Sequence, residues 1–119
     1  MRIALTSVDG ETITPHAGRC RRFLVFDAEP GSEPRPVKRL ELAPDQIFHV
    51  FEGDGPHPLD EVQVVITGNA REKFVAKCAR RGIEAVLTAE TDPVRAIAGY
   101  FAGTLQPPAP LPEKCDHDA

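Results

Sequence analysis

The chain has 119 residues and a formal net charge of −4, with 41% hydrophobic and 27% charged residues, as expected for one soluble domain with a buried core. The acidic balance and the 6% aromatic content argue against nucleic-acid partners, which need a basic face or a base-stacking surface. No segment approaches the ~20 apolar residues of a membrane span. The first residues do not form a signal peptide, so we expect a cytoplasmic protein without a membrane partner.

The first half of the chain predicts three strands. Residues 2–7 form the first, and the nearly all-apolar residues 22–28 form the second. Residues 37–42 partly alternate between apolar and polar side chains, as a half-exposed strand does. The proline-rich residues 29–36 predict a loop, and therefore an antiparallel hairpin. Glycines and prolines interrupt residues 43–61, which predicts a loop with one helical turn.

The second half alternates strand and helix. Residues 62–66 and 83–87 predict strands, and residues 70–81 predict an amphipathic helix that is capped from Thr67-Gly68-Asn69 and followed by Gly82. A second helix begins after Thr91 or Asp92, has Pro93 in its first turn and ends at Gly103. Two strand–helix units imply a parallel pair with a right-handed crossover.

Together these elements predict a three-layer α/β/α domain over residues 1–105. Its mixed five-stranded sheet would contain one antiparallel strand. Residues 106–119 contain four prolines and a charged end, which predicts a mobile C-terminal tail.

The most distinctive side chains lie between the first two strands. His16 and Cys20 are four residues apart, and Arg19, Arg21 and Arg22 surround the cysteine. Imidazole and thiolate bind iron, zinc or copper, and thiolates favour iron–sulfur clusters. The arginines would attract an anionic cluster and are expected to lower the pKa of the Cys20 thiol. The segment therefore predicts a site for an anionic metal cluster.

Other soft donors are scattered along the chain. His49 and His57 are either further ligands or, respectively, a partly buried histidine and a turn residue. Cys78 lies on the apolar face of a predicted helix and is expected to fill the core. The paired spacings of structural zinc sites are absent, and three cysteines are too few for a disulfide framework. Nucleotide-binding loops and the nucleophile elbow are absent as well.

Several segments together resemble a known family, the NifX/NifB-type domain of dinitrogenase iron–molybdenum cofactor biosynthesis. The most specific part is His16-Ala17-Gly18-Arg19-Cys20 with Phe23. The opening residues 2–7, the strand and glycine turn at residues 64–68, the residues 82–86 and the closing helix at residues 96–105 agree in outline. The chain departs from the family at residues 69–71, where relatives often have more glycine.

The resemblance implies a ribonuclease-H-like fold without nuclease activity and a non-enzymatic carrier or storage role. The cargo would be an iron–sulfur cluster or an iron–molybdenum cofactor precursor, exchanged with metallocluster assembly proteins. His16 and Cys20 would be the first ligands, with His49 and His57, both less secure because the middle region varies in the family, as further ones. A homodimer that shares a cluster is left open.

Three alternatives remain open from the sequence. One is a mononuclear zinc site in which Cys115 and His117 complete the ligands of His16 and Cys20. Another is a metal-free regulatory or interaction domain that uses the tail and the Phe48/Phe51 pair as contact surface. A third is a thiol enzyme that uses Cys20 as its nucleophile.

Overall fold

The computed structural model describes residues 1–15, 19–51 and 55–107. Five strands and two helices follow one another along the chain: β1 Arg2–Thr6, β2 Arg22–Asp27, β3 Arg35–Glu41, β4 Val64–Thr67, α1 Glu72–Arg80, β5 Glu84–Leu87 and α2 Pro93–Ala102. The long connection from β3 to β4 contains two short 3₁₀ turns, Pro44–Gln46 and Pro58–Glu61, where one helical turn was predicted.

The strands form one mixed sheet in the order β3-β2-β1-β4-β5. β2 runs antiparallel to both of its neighbours, whereas β1, β4 and β5 are parallel. This confirms the predicted five-stranded α/β sheet with one antiparallel strand. The carboxyl ends of β1, β3, β4 and β5 therefore lie along the same side of the sheet as the amino end of β2, and we call this side the carboxyl edge.

Two apolar clusters stabilise the sheet. Ala4 of β1 and Val65 of β4 belong to a cluster that includes Phe74 and Cys78 of α1. The residues on either side of them in the strands belong to a second cluster, which includes Ala96 and Ile97 of α2. Because successive side chains of a strand point to opposite faces, the alternation places the two clusters on different faces. Cys78 is fully buried, as predicted.

The sequence predicted both ends of α2 but not the start of α1. The Asp92 carboxylate accepts a hydrogen bond from the Arg95 amide at 3.1 Å, and Gly103 ends α2 with φ 72°, as predicted. α1 begins only at Glu72, with Arg71 as an N-cap that makes no side-chain hydrogen bond. The Gly68 amide instead donates to the Thr14 carbonyl at 3.3 Å, so the turn after β4 is tied to a distant loop before the helix begins.

A buried histidine orders the connection between β3 and β4. His57 is 5% exposed, its Nε2 lies 2.6 Å from the Gln46 carbonyl oxygen, and its Nδ1 accepts from the Leu59 amide at 3.1 Å. The ring packs edge-on against Phe48 and Phe51. Since a carbonyl only accepts and an amide only donates, the ring must be neutral and carry its proton on Nε2.

Within the described ranges, neither helix is long and apolar enough to cross a membrane.

We expect His57→Asn to weaken the fold and to change how stability depends on pH. Burial lowers the pKa of His57 below its usual value of 6.5, so the unfolded chain binds more protons below about pH 6.5. The stabilisation is complete above that pH and is lost as the pH falls toward the lower pKa of the folded state. The variant should lose about 2–3 kcal/mol at pH 7.5, through lost hydrogen bonds and packing.

Urea denaturation at pH 7.5 and pH 5 measures both effects. The stability of wild type should fall more steeply with acid than that of His57→Asn, and His49→Asn, at an exposed histidine, is the matched control. Equal pH dependence in wild type and His57→Asn would contradict this role for the buried ring.

Candidate functional site

The carboxyl edge contains the point at which the strand order reverses. The chain leaves β1 toward β2 on one side, and it leaves β4 toward α1 and β5 on the other. In open α/β sheets, ligands bind in the crevice between two such strands. The connection from β1 to β2, which contains the predicted His16–Cys20 segment, begins at this crevice.

Three threonines fix the start of that connection, and we call Thr6, Thr14 and Thr67 the threonine cluster. The Thr6 hydroxyl donates to the Thr14 carbonyl at 2.6 Å and lies 2.8 Å from the Thr67 hydroxyl. The Thr14 amide donates back to the Thr6 carbonyl at 2.8 Å. Thr6 and Thr67 are fully buried, so these bonds form in a region of low dielectric, where they are strong.

Gly68 allows the same loop to lie directly over the turn after β4. A Cβ at this position would lie 3.2 Å from both the Cα and the nitrogen of Pro15, closer than ordinary packing allows. The absence of a side chain at Gly68 therefore brings Pro15 against β4, immediately before residues 16–18.

Cys20 fixes the other end of the loop, and it does so as a buried thiol. It is 4% exposed, and its Sγ donates to the Arg22 carbonyl at 3.0 Å. Burial raises the pKa of the Cys20 thiol above its usual value and outweighs its hydrogen bonds and the charge of Arg22. The charge of Arg22 does lower this pKa, as predicted, but the net shift is upward because the sulfur packs into the core with Phe23.

The three arginines lie in different surroundings, although they are nearly consecutive. Arg21 and Arg22 contact the two oxygens of the Glu41 carboxylate at 3.2 and 3.5 Å, which offsets part of their charge. Arg19 instead points to His49, with Nη2 3.1 Å from the histidine Nε2. All three arginines are exposed.

His49 is the soft donor that the structure brings next to the predicted segment. It is exposed, rather than partly buried. Since a guanidinium can only donate, the His49 Nε2 accepts the hydrogen bond and the ring proton lies on Nδ1. The contact joins two residues that are far apart in the sequence. It places the His49 imidazole beside Arg19, the residue before Cys20.

Lys77 of α1 helps to position His49, and the sequence did not predict this role. Its Nζ donates to the carbonyls of Phe48 and Phe51 at 2.5 and 2.8 Å, so it holds the backbone on both sides of His49. The helical pattern marks Lys77 only as a polar-face residue. Its partners are backbone atoms in another segment, and no local pattern signals such a contact.

The predicted ligands therefore differ in how available they are. His16, Cys115 and His117 lie outside the described residues, Cys20 is buried, and both ring nitrogens of His57 are engaged in hydrogen bonds. Among residues 1–15, 19–51 and 55–107, no group of three His, Cys, Asp or Glu side chains is arranged to hold a metal ion. We therefore leave His57 out of the ligand set that we propose.

The sequence model of a family described as "dinitrogenase iron-molybdenum cofactor" matches residues 1–103. The chain belongs to this family. The NifX/NifB-type resemblance is thus confirmed over residues 1–103, which include the threonine cluster. Comparison with curated proteins gave no match.

Two solved structures have folds similar to that of this chain. The crystal structure of PH0822 has 21% identity and a TM-score of 0.64, and the alignment covers 89% of this chain and 94% of that one. An NMR structure from Thermotoga, TM1290, described as a NifB-like protein of the DUF35 family, has 18% identity and a TM-score of 0.60, with 95% and 97% covered. At these identities the likeness shows the fold alone.

We expect alkylation of Cys20 in the native protein to be slow, because the reactive thiolate requires both deprotonation and access. Cys78, whose pKa burial raises to about 12, is the matched buried control. Peptide mass mapping after iodoacetamide treatment at pH 8 should show both thiols protected until urea unfolds the chain. Labelling of native Cys20 as fast as in the unfolded chain would contradict the buried thiol and favour a nucleophilic role.

Proposed function

We propose that this protein is a non-enzymatic carrier of an iron–sulfur or iron–molybdenum cofactor precursor cluster, which binds as cargo at the carboxyl edge. Membership of the dinitrogenase cofactor family supports this class of cargo. The observation that carries the location is the contact between Arg19 and His49. It brings an exposed imidazole and a cation together within and beside the segment that contains His16 and Cys20.

The two histidines and the buried cysteine would contribute differently. His16 and His49 supply imidazoles, and His49 must exchange its hydrogen bond with Arg19 for a bond to iron. Cys20 becomes a ligand only after its thiol loses its proton and its hydrogen bond to the Arg22 carbonyl. Ligation by Cys20 therefore requires the residues around it to move, and the cost of that movement favours release of the cargo.

Charge at the edge supports an anionic cargo. Arg19 contributes positive potential next to the proposed ligands, and Arg21 and Arg22 add to it beyond what Glu41 offsets. A local positive field attracts an anion even when the whole protein is acidic. Exchange of the cluster with metallocluster assembly proteins would require the carboxyl edge to be accessible to those proteins.

We also propose the three-layer ribonuclease-H-like arrangement for the fold. It is supported by the two apolar clusters, since residues of α1 occur in one and residues of α2 in the other.

Anaerobic reconstitution with ferrous iron and sulfide tests the proposed site. Wild type should acquire iron, sulfide and charge-transfer absorption. His49→Ala and Cys20→Ala should retain iron at least about tenfold less well, since even the loss of outer-shell support weakens metal sites 10- to 100-fold. Cys78→Ala is the matched control, because it removes an equally buried sulfur from the same apolar cluster and should retain iron like wild type.

Equal iron uptake by wild type and a His16→Ala/Cys20→Ala double variant would show that the cluster does not bind at this edge. Equal losses in Cys20→Ala and Cys78→Ala would show that Cys20 acts through packing rather than as a ligand.

A further inference from the structure

Exposed apolar side chains line a groove on the face of the sheet that α2 covers. Val37 of the edge strand β3 is 41% exposed, and Val94, in the first turn of α2, is 47% exposed. They line a groove of about 460 Å³ together with Leu24 and Phe26 of β2, and we call it the α2-face groove. Its volume lies within the range of about 300–1,000 Å³ that small-molecule sites have.

Arg39 of β3 supplies this groove with a cation. It lies directly opposite Leu24 in the antiparallel register of β2 and β3, so the two side chains are on the same face of the sheet. The guanidinium packs beside Gly10 in the loop after β1, where a Cβ would lie 3.4 Å from the Arg39 Cζ and Nη1. Gly10 and Arg39 both line the groove, so a positive charge borders its apolar surface.

Arg39 differs from the other two arginines of β2 and β3 in having no acceptor. Arg35 contacts the Asp27 carboxylate at 3.5 Å. Arg22 contacts the Glu41 carboxylate at 3.5 Å. Among residues 1–15, 19–51 and 55–107, Arg39 has no hydrogen bond or ion pair. A guanidinium only donates, and its planar fork matches the two oxygens of a carboxylate, so the groove offers a carboxylate a ready partner.

Two carboxylates restrict the charge that the α2-face groove accepts. Glu11 and Asp92 line it as well. Asp92 also caps α2 through the Arg95 amide, and Glu11 is exposed. A second negative charge on a ligand would meet these groups and be repelled, since like charges nearby are unfavourable. The groove therefore fits one carboxylate joined to an apolar body better than a dianion.

The α2-face groove is separate from the proposed cluster ligands. Cys20 and Phe48, the residue before His49, belong to the apolar cluster that includes residues of α1. Phe26 belongs to the cluster that includes residues of α2, and Leu24 packs against it. The groove thus lies on the opposite face of the sheet from Cys20 and Phe48, and ligand binding there does not depend on the carrier function.

We propose that the α2-face groove binds a small monocarboxylate with an apolar body. The ligand's carboxylate accepts hydrogen bonds from the Arg39 guanidinium, and its apolar body covers Leu24, Phe26 and Val37. Binding removes exposed apolar surface from water, which is favourable, and it gives Arg39 the acceptor that it lacks.

Titration of the full chain with octanoate, followed by amide chemical shifts in NMR spectra, tests this site. Octanoate should bind saturably and shift amides of β2, β3, Gly10 and the start of α2. Octylammonium, which has the same chain length and the opposite charge, should not saturate. Octanedioate, which adds a second carboxylate, should bind more weakly than octanoate.

Two variants separate the charge from the apolar surface. Arg39→Gln should weaken octanoate binding at least about tenfold, since charge-assisted hydrogen bonds are the strong ones. Val37→Asp, which places a negative charge at an exposed position of the groove, should abolish binding. Arg35→Gln is the matched control, because it removes another exposed arginine of β3 that already contacts Asp27, and it should bind octanoate like wild type.

Equal octanoate affinity in wild type and Arg39→Gln would overturn the proposal, as would octanedioate binding more tightly than octanoate. Groove amides that shift with protein concentration, and not with octanoate, would show that a second copy of the chain covers the groove and would overturn it as well. None of these outcomes bears on iron uptake at the carboxyl edge.

Discussion

The carbonyl oxygen of Thr14 is the acceptor on which the carboxyl edge depends. It receives hydrogen bonds from the Thr6 hydroxyl and the Gly68 amide, and the Thr67 hydroxyl lies 3.3 Å away. One peptide group thus joins the end of β1, the end of β4 and the loop between β1 and β2. This junction fixes the chain at Thr14, shortly before residues 16–18, and holds the turn after β4 before α1 begins.

Burial of the Cys20 thiol is the second constraint. A thiol ligand needs to be ionised, and burial raises the pKa of Cys20 and keeps it protonated. The exposed groups near it are Arg19 and His49, which Lys77 helps to position. Among the described residues, the proposed site thus has one exposed imidazole, one buried thiol and a cation. Under the proposed carrier function, binding through Cys20 would require its thiol to leave the core, and that cost would favour release of the cluster.

The sequence predicted what local interactions determine. Four strands follow from apolar runs and β3 from partial alternation, and α2 follows from Asp92, Pro93 and Gly103, whose effects act within one helical turn. It did not predict the start of α1, because the bond from Gly68 ends at Thr14, far away in the sequence. It gave the wrong direction for the pKa of Cys20, since the sulfur's burial depends on Phe74 and other residues of distant elements. The contact between Arg19 and His49 has no sequence signal, because the two residues are far apart in the chain.

Metal analysis of the protein purified anaerobically from its own host is the most direct test of the central claim. The carrier account predicts iron together with acid-labile sulfide in near-stoichiometric amounts, lost when the protein is mixed with a chelator. Protein that contains zinc alone, or no metal under strict exclusion of oxygen, would contradict it.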